Sequence, residues 1–168
     1  MTIVVKDRQS LLGEIVDDKV CLNQIGKIVE EEWLKTPFIR PNVELDDYVI
    51  MPSHLHGILI IGETVGATRG VAQNENKPTS KSTRATFQVA PTKTLESGSL
   101  GAIIGQFKSK TAKRINALRG TPGIPVWQRN YYDHIIRNDA DLHRIRTYIR
   151  NNPLKWALDE ENPMNIKP

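Results

Sequence analysis

Cysteine is almost absent from this chain, because only Cys21 occurs among 168 residues. A single thiol excludes an internal disulfide framework and any cysteine-based zinc cluster, and a lone thiol is usually a small core residue. No apolar run approaches the roughly 20 residues that cross a bilayer, and residues 1–5 are too short for a signal peptide. We therefore expect a single domain over residues 1–168, cytoplasmic and without a membrane partner.

Acidic residues are scarce in the second half of the chain, although the net charge is only +4. Residues 1–61 contain six Lys/Arg and ten Asp/Glu, whereas residues 98–156 contain eleven Lys/Arg and three Asp. This separation of charge suggests a polyanionic partner, with nucleic acid as the first candidate. A solvated basic face is the alternative explanation.

The periodicity of apolar residues predicts an α+β domain. Residues 2–6, 43–51 and 54–61 have the pattern of strands, with a further short strand at 14–22 and an edge strand at 126–137. Helical spacing predicts one helix from Asn23 to before Pro37, a second opened by Ser99, and a third capped by Asn138 or Asp139. Residues 62–97 are rich in polar residues, Gly and Pro, and we expect a long, partly disordered loop there, with a short strand near 85–89.

Two histidines interrupt the apolar segment YVIMPSHLHGILII at residues 48–61. Successive side chains of a strand point to opposite faces, so His54 and His56 share one face and lie close enough to bind one metal ion. Two histidines on an apolar strand can equally be hydrogen-bonded core residues or the lining of a polar pocket. A metal site therefore needs further ligands from elsewhere in the chain.

Tyr148 and Asn152 lie on one edge of the third predicted helix. At 100° per residue they are about 40° apart, so both can point toward the same place. A divalent ion held by His54, His56 and the Asn152 amide oxygen would keep coordination positions open for phosphate oxygens and water. Tyr148, one turn from the third ligand, would then be placed as a nucleophile that forms a phosphotyrosine without ATP or an organic cofactor.

Other tyrosines offer alternatives to this assignment. A tyrosine beside the apolar stripe of a helix usually packs with its hydroxyl at the surface, which is the alternative for Tyr148. Tyr131 and Tyr132 are rival nucleophiles, but a strand position offers no ligand partner four residues later. We interpret both as packing or base-stacking groups.

Basic side chains on the second and third helices are candidates for following a DNA backbone near this site. Some of them are ordinary solvated charge, and the alternative interpretation is that about half contribute little, since exposed helix faces are commonly this polar. The candidates are Lys108, Lys110, Lys113, Arg114, Arg144, Arg146 and Arg150.

Three motifs together resemble the single-tyrosine HUH transposases, most closely the REP-associated tyrosine transposases. They are HLH after VIMPS, then WQRNYYDHIIR, then YIRNNPLKW, and the resemblance covers residues 2–156 outside the loop. It implies a ferredoxin-like antiparallel sheet with helices packed on it. His54 and His56 match the metal-binding histidines of that family, Tyr148 matches the nucleophile and Asn152 matches the third ligand.

The resemblance also implies an activity and partners. Proteins of this kind nick and rejoin single-stranded or hairpin DNA through a 5′-phosphotyrosine, with Mg²⁺ or Mn²⁺ as cofactor, so a nucleoid association is expected. Many are homodimers, with monomers among related proteins. Ser53 stands where asparagine is common, and the start is shorter than in many relatives. The short start motivates an alternative, a catalytically impaired or domesticated DNA-hairpin-binding protein of the same fold.

Overall fold

The computed structural model describes residues 1–62 and 98–165. Apart from Gly62, the loop predicted at 62–97 and its short strand lie outside the described residues. No helix within the described ranges is long and apolar enough to span a membrane. The strands are β1 (Thr2–Val4), β2 (Gly13–Val16), β3 (Lys19–Leu22), β4 (Val43–Ile50) and β5 (His54–Ile61), and the α-helices are α1 (Gln24–Leu34), α2 (Thr36–Ile39), α3 (Leu100–Arg119) and α4 (Asp139–Asn151). Short 3₁₀ helices lie at Lys6–Arg8, Pro153–Leu158 and Pro163–Asn165.

The strand that carries both histidines, β5, is the centre of an antiparallel sheet with the order β1-β5-β4. His56 lies opposite Thr2 of β1 and Val49 of β4. The chain after α3 returns to the free edge of β1, where Trp127 and Tyr132 form isolated bridges. With α1 between β1 and β4 and α3 after β5, this is the split βαβ arrangement of ferredoxin-like folds. The predicted fold class is confirmed.

The edge of the sheet beyond β1 is less regular than the sequence pattern indicates. The prediction of an edge strand at 126–137 is wrong, because this segment forms only isolated bridges, from Tyr132 to Thr2 of β1 and from Trp127 to Val5 just after it. β1 is three residues long and offers a partner for only part of that segment. The short strand predicted at 14–22 is instead a two-stranded hairpin, with Asp17 and Asp18 at positive φ in its turn. Two consecutive positive φ values are typical of the tight turns that join such strands.

Side-chain caps begin the three long helices where the sequence predicts. The Asn23 side chain accepts from the N–H groups of Ile25 and Gly26, and the side chains of Ser99 and Asn138 cap α3 and α4 in the same way. Each cap supplies an acceptor for N–H groups that have no partner within the helix. The Asn138 cap sets where α4, the helix that carries the predicted nucleophile, begins.

The core lies between the sheet and the pair α1 and α3. Trp33 of α1 is fully buried, and its ring meets Phe107 of α3 edge to face at 5.5 Å. A Cβ added to Gly57 would lie 2.6 Å from the Trp33 ring, so β5 has a glycine where the indole crosses it. Because neighbouring residues of a strand face opposite sides, His54 and His56 point to the other face, away from this core.

Candidate active site

The two histidines of β5 lie side by side on one face of the sheet. Their ring centroids are 4.4 Å apart, with 66° between the ring planes. His54 is fully buried and His56 is 8% exposed. The strand neighbours on both sides hold this geometry, because β5 is paired along both of its edges. The predicted placement of both imidazoles on one face is therefore what the fold produces.

A carboxylate that the sequence pattern does not indicate completes this group. Asp159 Oδ2 lies 3.9 Å from His54 Nε2, and one ligand atom from each of His54, His56 and Asp159 lies within 4.8 Å of the other two. Asp159 follows the 3₁₀ helix Pro153–Leu158, which turns the chain back over the sheet after α4. No local spacing relates Asp159 to the histidines, and only the path of the chain brings them together.

Asn152, the predicted third ligand, lies beside this carboxylate and is 2% exposed. Its amide Nδ2 donates to Asp159 Oδ2 at 3.2 Å. An ionised carboxylate only accepts hydrogen bonds, so the amide nitrogen must face Asp159. The Asn152 oxygen is then left with a free lone pair. Asn152 and Asp159 together form the wall of the site opposite the histidines.

Three buried polar atoms in this group lack a hydrogen-bond partner within the described chain: His54 Nε2, His56 Nε2 and Asn152 Oδ1. Burying a polar atom without a partner costs roughly 1–3 kcal/mol, so such atoms are normally satisfied. The amide oxygen, and each imidazole nitrogen in the tautomer that leaves it unprotonated, accept an electropositive partner, and the Asp159 carboxylate beside them adds a negative charge. Divalent transition metals, Mn²⁺ among them, bind imidazole, carboxylate and amide oxygen ligands in proteins. The residues present therefore fit a divalent cation.

The environment holds both imidazoles in their neutral form. Burial lowers the pKa of His56 to about 2, with the neighbouring His54 as the next cause. Burial also lowers the pKa of His54, and the charge of Asp159 opposes this shift. A neutral imidazole is the form that binds a metal, because a protonated nitrogen has no lone pair to donate.

Tyr148 of α4 borders this group on its open side. Its ring lies edge to face with His56, with centroids 5.3 Å apart and 70° between the planes. The side chain is 49% exposed, so its hydroxyl is accessible to a substrate. Partial burial raises the pKa of Tyr148, with Asp159 as the next cause, so the phenol keeps its proton at neutral pH. The structure thus brings Tyr148, His56, His54 and Asn152 into one place within one chain.

Two ion pairs attach α4 to the edge strand β4. Arg146 contacts Asp46 at 2.6 Å and Arg150 contacts Asp47 at 2.8 Å. The pairing of β4 with β5 shifts register between Leu45 and Tyr48, so the two aspartates lie in an irregular stretch. Such a bulge re-aims side chains that would otherwise point to opposite faces of the strand. Arg146 and Arg150 are one helical turn apart and flank Tyr148 in sequence, so these contacts also hold the tyrosine.

Five of the seven predicted DNA-contacting cations bind groups within the protein. Lys108 donates to the Gln128 and Asn130 carbonyls at 2.9 and 2.7 Å and so attaches α3 to the chain beside β1. Arg146 and Arg150 form the ion pairs with β4 described above. Arg114 contacts Glu31 and Glu32 of α1. Arg144 contacts Asp141 within α4.

Lys110 and Lys113 are exposed and form no ion pair with the residues the structure describes. By contrast, Arg114, Arg146 and Arg150 bind acids from residues 1–61. Part of the charge separation along the sequence is therefore neutralised where α3 and α4 meet α1 and β4. The sequence alone does not indicate this use of the charge.

A cleft extends on both sides of the His56–Tyr148 contact. The larger arm has a volume of about 880 Å³, and aliphatic side chains of β5 and α4, including Ile58 and Ile145, line it. The smaller arm, about 430 Å³, has more charged and polar side chains in its lining, among them Asn152 and Asp159. Thr2, His56, Tyr132 and Tyr148 line both arms. An extended chain molecule could therefore cross the site with the tyrosine at its midpoint.

Tyr131 and Tyr132, the two rival tyrosines, differ in their access to this cleft. Tyr131 packs partly buried against the core, with the Lys108 ammonium 6.0 Å from its ring centroid. Tyr132 is 61% exposed and belongs to the cleft lining. Of the two rivals to Tyr148, only Tyr132 lines the cleft.

Comparisons with known proteins agree with this fold. No protein-family model matches the chain. A solved REP-associated tyrosine transposase, bound to a REP hairpin, superposes with a TM-score of 0.56 at 19% identity. The superposition covers 92% of this chain and 64% of the transposase chain, so the present chain spans under two thirds of that protein. At this identity the likeness establishes a common fold.

A sequence relative is closer. An uncharacterized protein of Haemophilus influenzae is 38% identical over 163 residues, which are 95% of this chain and 82% of the relative. The chain therefore belongs to the same protein family as this Haemophilus influenzae protein, a family with the ferredoxin-like fold of a REP-associated tyrosine transposase.

Proposed function

We propose that this protein is a metal-dependent transposase-type enzyme that nicks and rejoins single-stranded DNA through Tyr148. The observation that carries the proposal is the grouping of one ligand atom each from His54, His56 and Asp159 within 4.8 Å of one another, with the buried Asn152 amide bonded to Asp159 and the Tyr148 ring against His56. The histidine pair, the buried carboxylate and the tyrosine ring contact each have an ordinary structural explanation when taken alone. Their joint occurrence in a cleft is what phosphoryl transfer to a tyrosine requires.

The metal would be held by His54, His56 and Asp159, with the Asn152 oxygen as a further ligand. A divalent ion bound there would supply Lewis-acid chemistry, polarising the phosphodiester and offsetting its negative charge. The Asp159 carboxylate makes this donor set more negative than two histidines and an amide. Imidazole ligands favour Mn²⁺ over Mg²⁺, because Mg²⁺ is usually held by oxygen atoms and water.

The reaction we propose for Tyr148 is a transesterification. Its Oη bonds to phosphorus while the bond from phosphorus to the 3′ oxygen breaks, which leaves a 5′-phosphotyrosine and a 3′-OH. The phenol proton passes to water at the exposed side of the ring, and the departing 3′ oxygen takes up a proton. The contact of Tyr148 with His56 and the attachment of α4 to β4 hold the nucleophile in place, which reduces the entropy lost on reaction. The reverse reaction rejoins a strand end without ATP.

Single-stranded or hairpin DNA is the substrate class that we propose. The solved structural neighbour was bound to a REP hairpin. The cleft crosses the site, and Tyr132 on its rim offers an exposed ring on which an unpaired base can stack. Lys110 and Lys113 are exposed on α3 without an ion-pair partner among the described residues, but α3 packs on the sheet face opposite the histidines and neither lysine lines the cleft. The other five already have partners within the protein.

The test uses purified protein, Mn²⁺ and labelled single-stranded hairpin DNA. The proposal predicts a DNA–protein adduct that survives denaturing electrophoresis, and its formation should stop when EDTA removes the metal. Binding of hairpins without any adduct, on all hairpins tried, would instead support the alternative, a DNA-hairpin-binding protein without strand transfer.

A further inference from the structure

Ser53, immediately before the first histidine, is fully buried beside the metal-ligand group. Its hydroxyl lies 3.2 Å from His54 Nδ1 and 2.6 Å from the backbone oxygen of Glu161. Ser53 is not itself a ligand, and no spacing in the sequence indicates a role for it. Its two contacts nevertheless join β5 to the segment that carries Asp159.

The proton of the Ser53 hydroxyl determines which nitrogen of His54 is protonated. A hydroxyl has one proton, and a carbonyl oxygen can only accept, so Ser53 donates that proton to Glu161. The contact with His54 Nδ1 must then run in the other direction, with Nδ1–H donating to Ser53. A neutral imidazole protonated at Nδ1 has its lone pair on Nε2, the atom that faces Asp159.

Glu161 extends this link to the second ligand. Its backbone N–H donates to Asp159 Oδ1 at 2.7 Å, while its backbone oxygen accepts from Ser53. The Glu161 carboxylate also pairs with Arg8, which anchors it from the other side. One residue thereby connects His54, through Ser53, to Asp159.

We propose that Ser53 is a positioning residue that fixes His54 in its Nδ1–H form and aligns His54 with Asp159 through Glu161. The inference rests on the proposed function, because it concerns the same metal site. Metal-bound histidines generally donate their second ring N–H to a neighbouring acceptor, and removal of that acceptor typically costs 10–100-fold in metal affinity.

Thr111 supplies a matched control far from this site. It is also fully buried, its hydroxyl donates to the Phe107 backbone oxygen at 2.8 Å, and it accepts from the Trp127 indole N–H at 2.8 Å. Thr111→Val therefore removes a buried hydroxyl with the same two kinds of hydrogen bond. Its effect on metal binding measures what a general loss of stability would do.

The first experiment uses metal-free wild-type protein with ¹⁵N-labelled histidine. A long-range ¹H–¹⁵N correlation spectrum should show His54 protonated at Nδ1 and unprotonated at Nε2. In Ser53→Ala this preference should be lost, whereas Thr111→Val should keep it. A wild-type His54 protonated at Nε2 would overturn the inference, whether or not the protein cleaves DNA.

The second experiment titrates Mn²⁺ alone into the same three proteins, at a temperature where each is folded. We expect roughly 10–100-fold weaker binding to Ser53→Ala and wild-type affinity in Thr111→Val. Equal affinities in all three proteins would overturn the inference. Wild-type protein with the expected tautomer and Mn²⁺ affinity but no DNA adduct would count against the proposed function alone.

Discussion

The ring of Tyr148 lies edge to face against His56 within one chain, with 5.3 Å between the ring centroids. The two residues come from opposite parts of the fold, β5 at the centre of the sheet and α4 beside its edge strand. Within this arrangement a chain does not require a helix from a second copy to place a tyrosine beside its histidines. The oligomeric state itself, for which the sequence predicts a homodimer with a monomer as the alternative, stays a prediction.

Active-site assembly within one chain can be tested by mixing two inactive variants. His56→Ala lacks a metal ligand and Tyr148→Phe lacks the nucleophile. If each site takes its tyrosine and its histidines from the same chain, the mixture should form no adduct with hairpin DNA. Recovery of adduct in the mixture would show that a tyrosine acts on the histidines of another chain. Wild-type protein mixed with either variant controls for inhibition.

Asp159 should contribute more to metal affinity than Asn152, because a carboxylate carries a charge that an amide lacks. We expect Asp159→Asn to weaken Mn²⁺ binding by more than the roughly 10–100-fold that removing a hydrogen-bond partner of a ligand costs. Asn152→Ala should cost less. Glu160→Gln, which removes the exposed neighbouring acid, should leave affinity near that of the wild type. Calorimetric titration gives all four values, and equal losses in Asp159→Asn and Glu160→Gln would exclude Asp159 as a ligand.

The exposed lysines of α3 should contribute to DNA affinity through DNA that extends beyond the cleft, and not to stability. The double variant Lys110→Gln, Lys113→Gln should bind single-stranded DNA more weakly, and the slope of log affinity against log salt should fall by about 0.7 for each phosphate that a lysine no longer neutralises. Fluorescence anisotropy at several salt concentrations measures that slope. Lys108→Gln should chiefly lower the unfolding midpoint, because its ammonium holds two backbone carbonyls. An unchanged slope in the double variant would show that these lysines do not bind DNA.

Gly57 should be intolerant of even one methyl group, since its Cβ would meet the fully buried Trp33 ring at 2.6 Å. Gly57→Ala is expected to lower the free energy of unfolding by about 1–3 kcal/mol through overpacking. Gly105→Ala is the control, because nothing lies within 4 Å of its added Cβ and alanine favours a helix interior by up to about 1 kcal/mol. Urea unfolding compares them. A Gly57→Ala protein as stable as the wild type would contradict the packing of α1 on β5.

Local signals account for what the sequence predicts well. Asn23, Ser99 and Asn138 are recognisable caps because each binds N–H groups two or three residues away. His54 and His56 share a face because the strand period is two. The family motifs add the relation between this strand and α4, which spacing alone does not provide.

Long-range contacts account for what the sequence does not predict. Asp159 meets His54 only because the chain after α4 turns back over the sheet, and no periodicity specifies that path. The partners of Arg146 and Arg150 depend on a bulge in β4, so these arginines look like free basic charge in the sequence. The sequence does not indicate the role of Ser53 for a related reason, because its second partner is a backbone atom of residue 161, which has no sequence signature.

The most direct test of the central claim is to identify the residue that becomes linked to DNA. Wild-type protein, Tyr148→Phe and Tyr132→Phe are incubated with Mn²⁺ and labelled hairpin DNA, and the adducts are digested and mapped by mass spectrometry. Tyr132 is the matched control because it lines the same cleft and is the more exposed of the two. We predict that wild type and Tyr132→Phe form an adduct at Tyr148 and that Tyr148→Phe forms none. An adduct that persists in Tyr148→Phe, or that maps to another residue, would contradict the assignment of Tyr148 as the nucleophile.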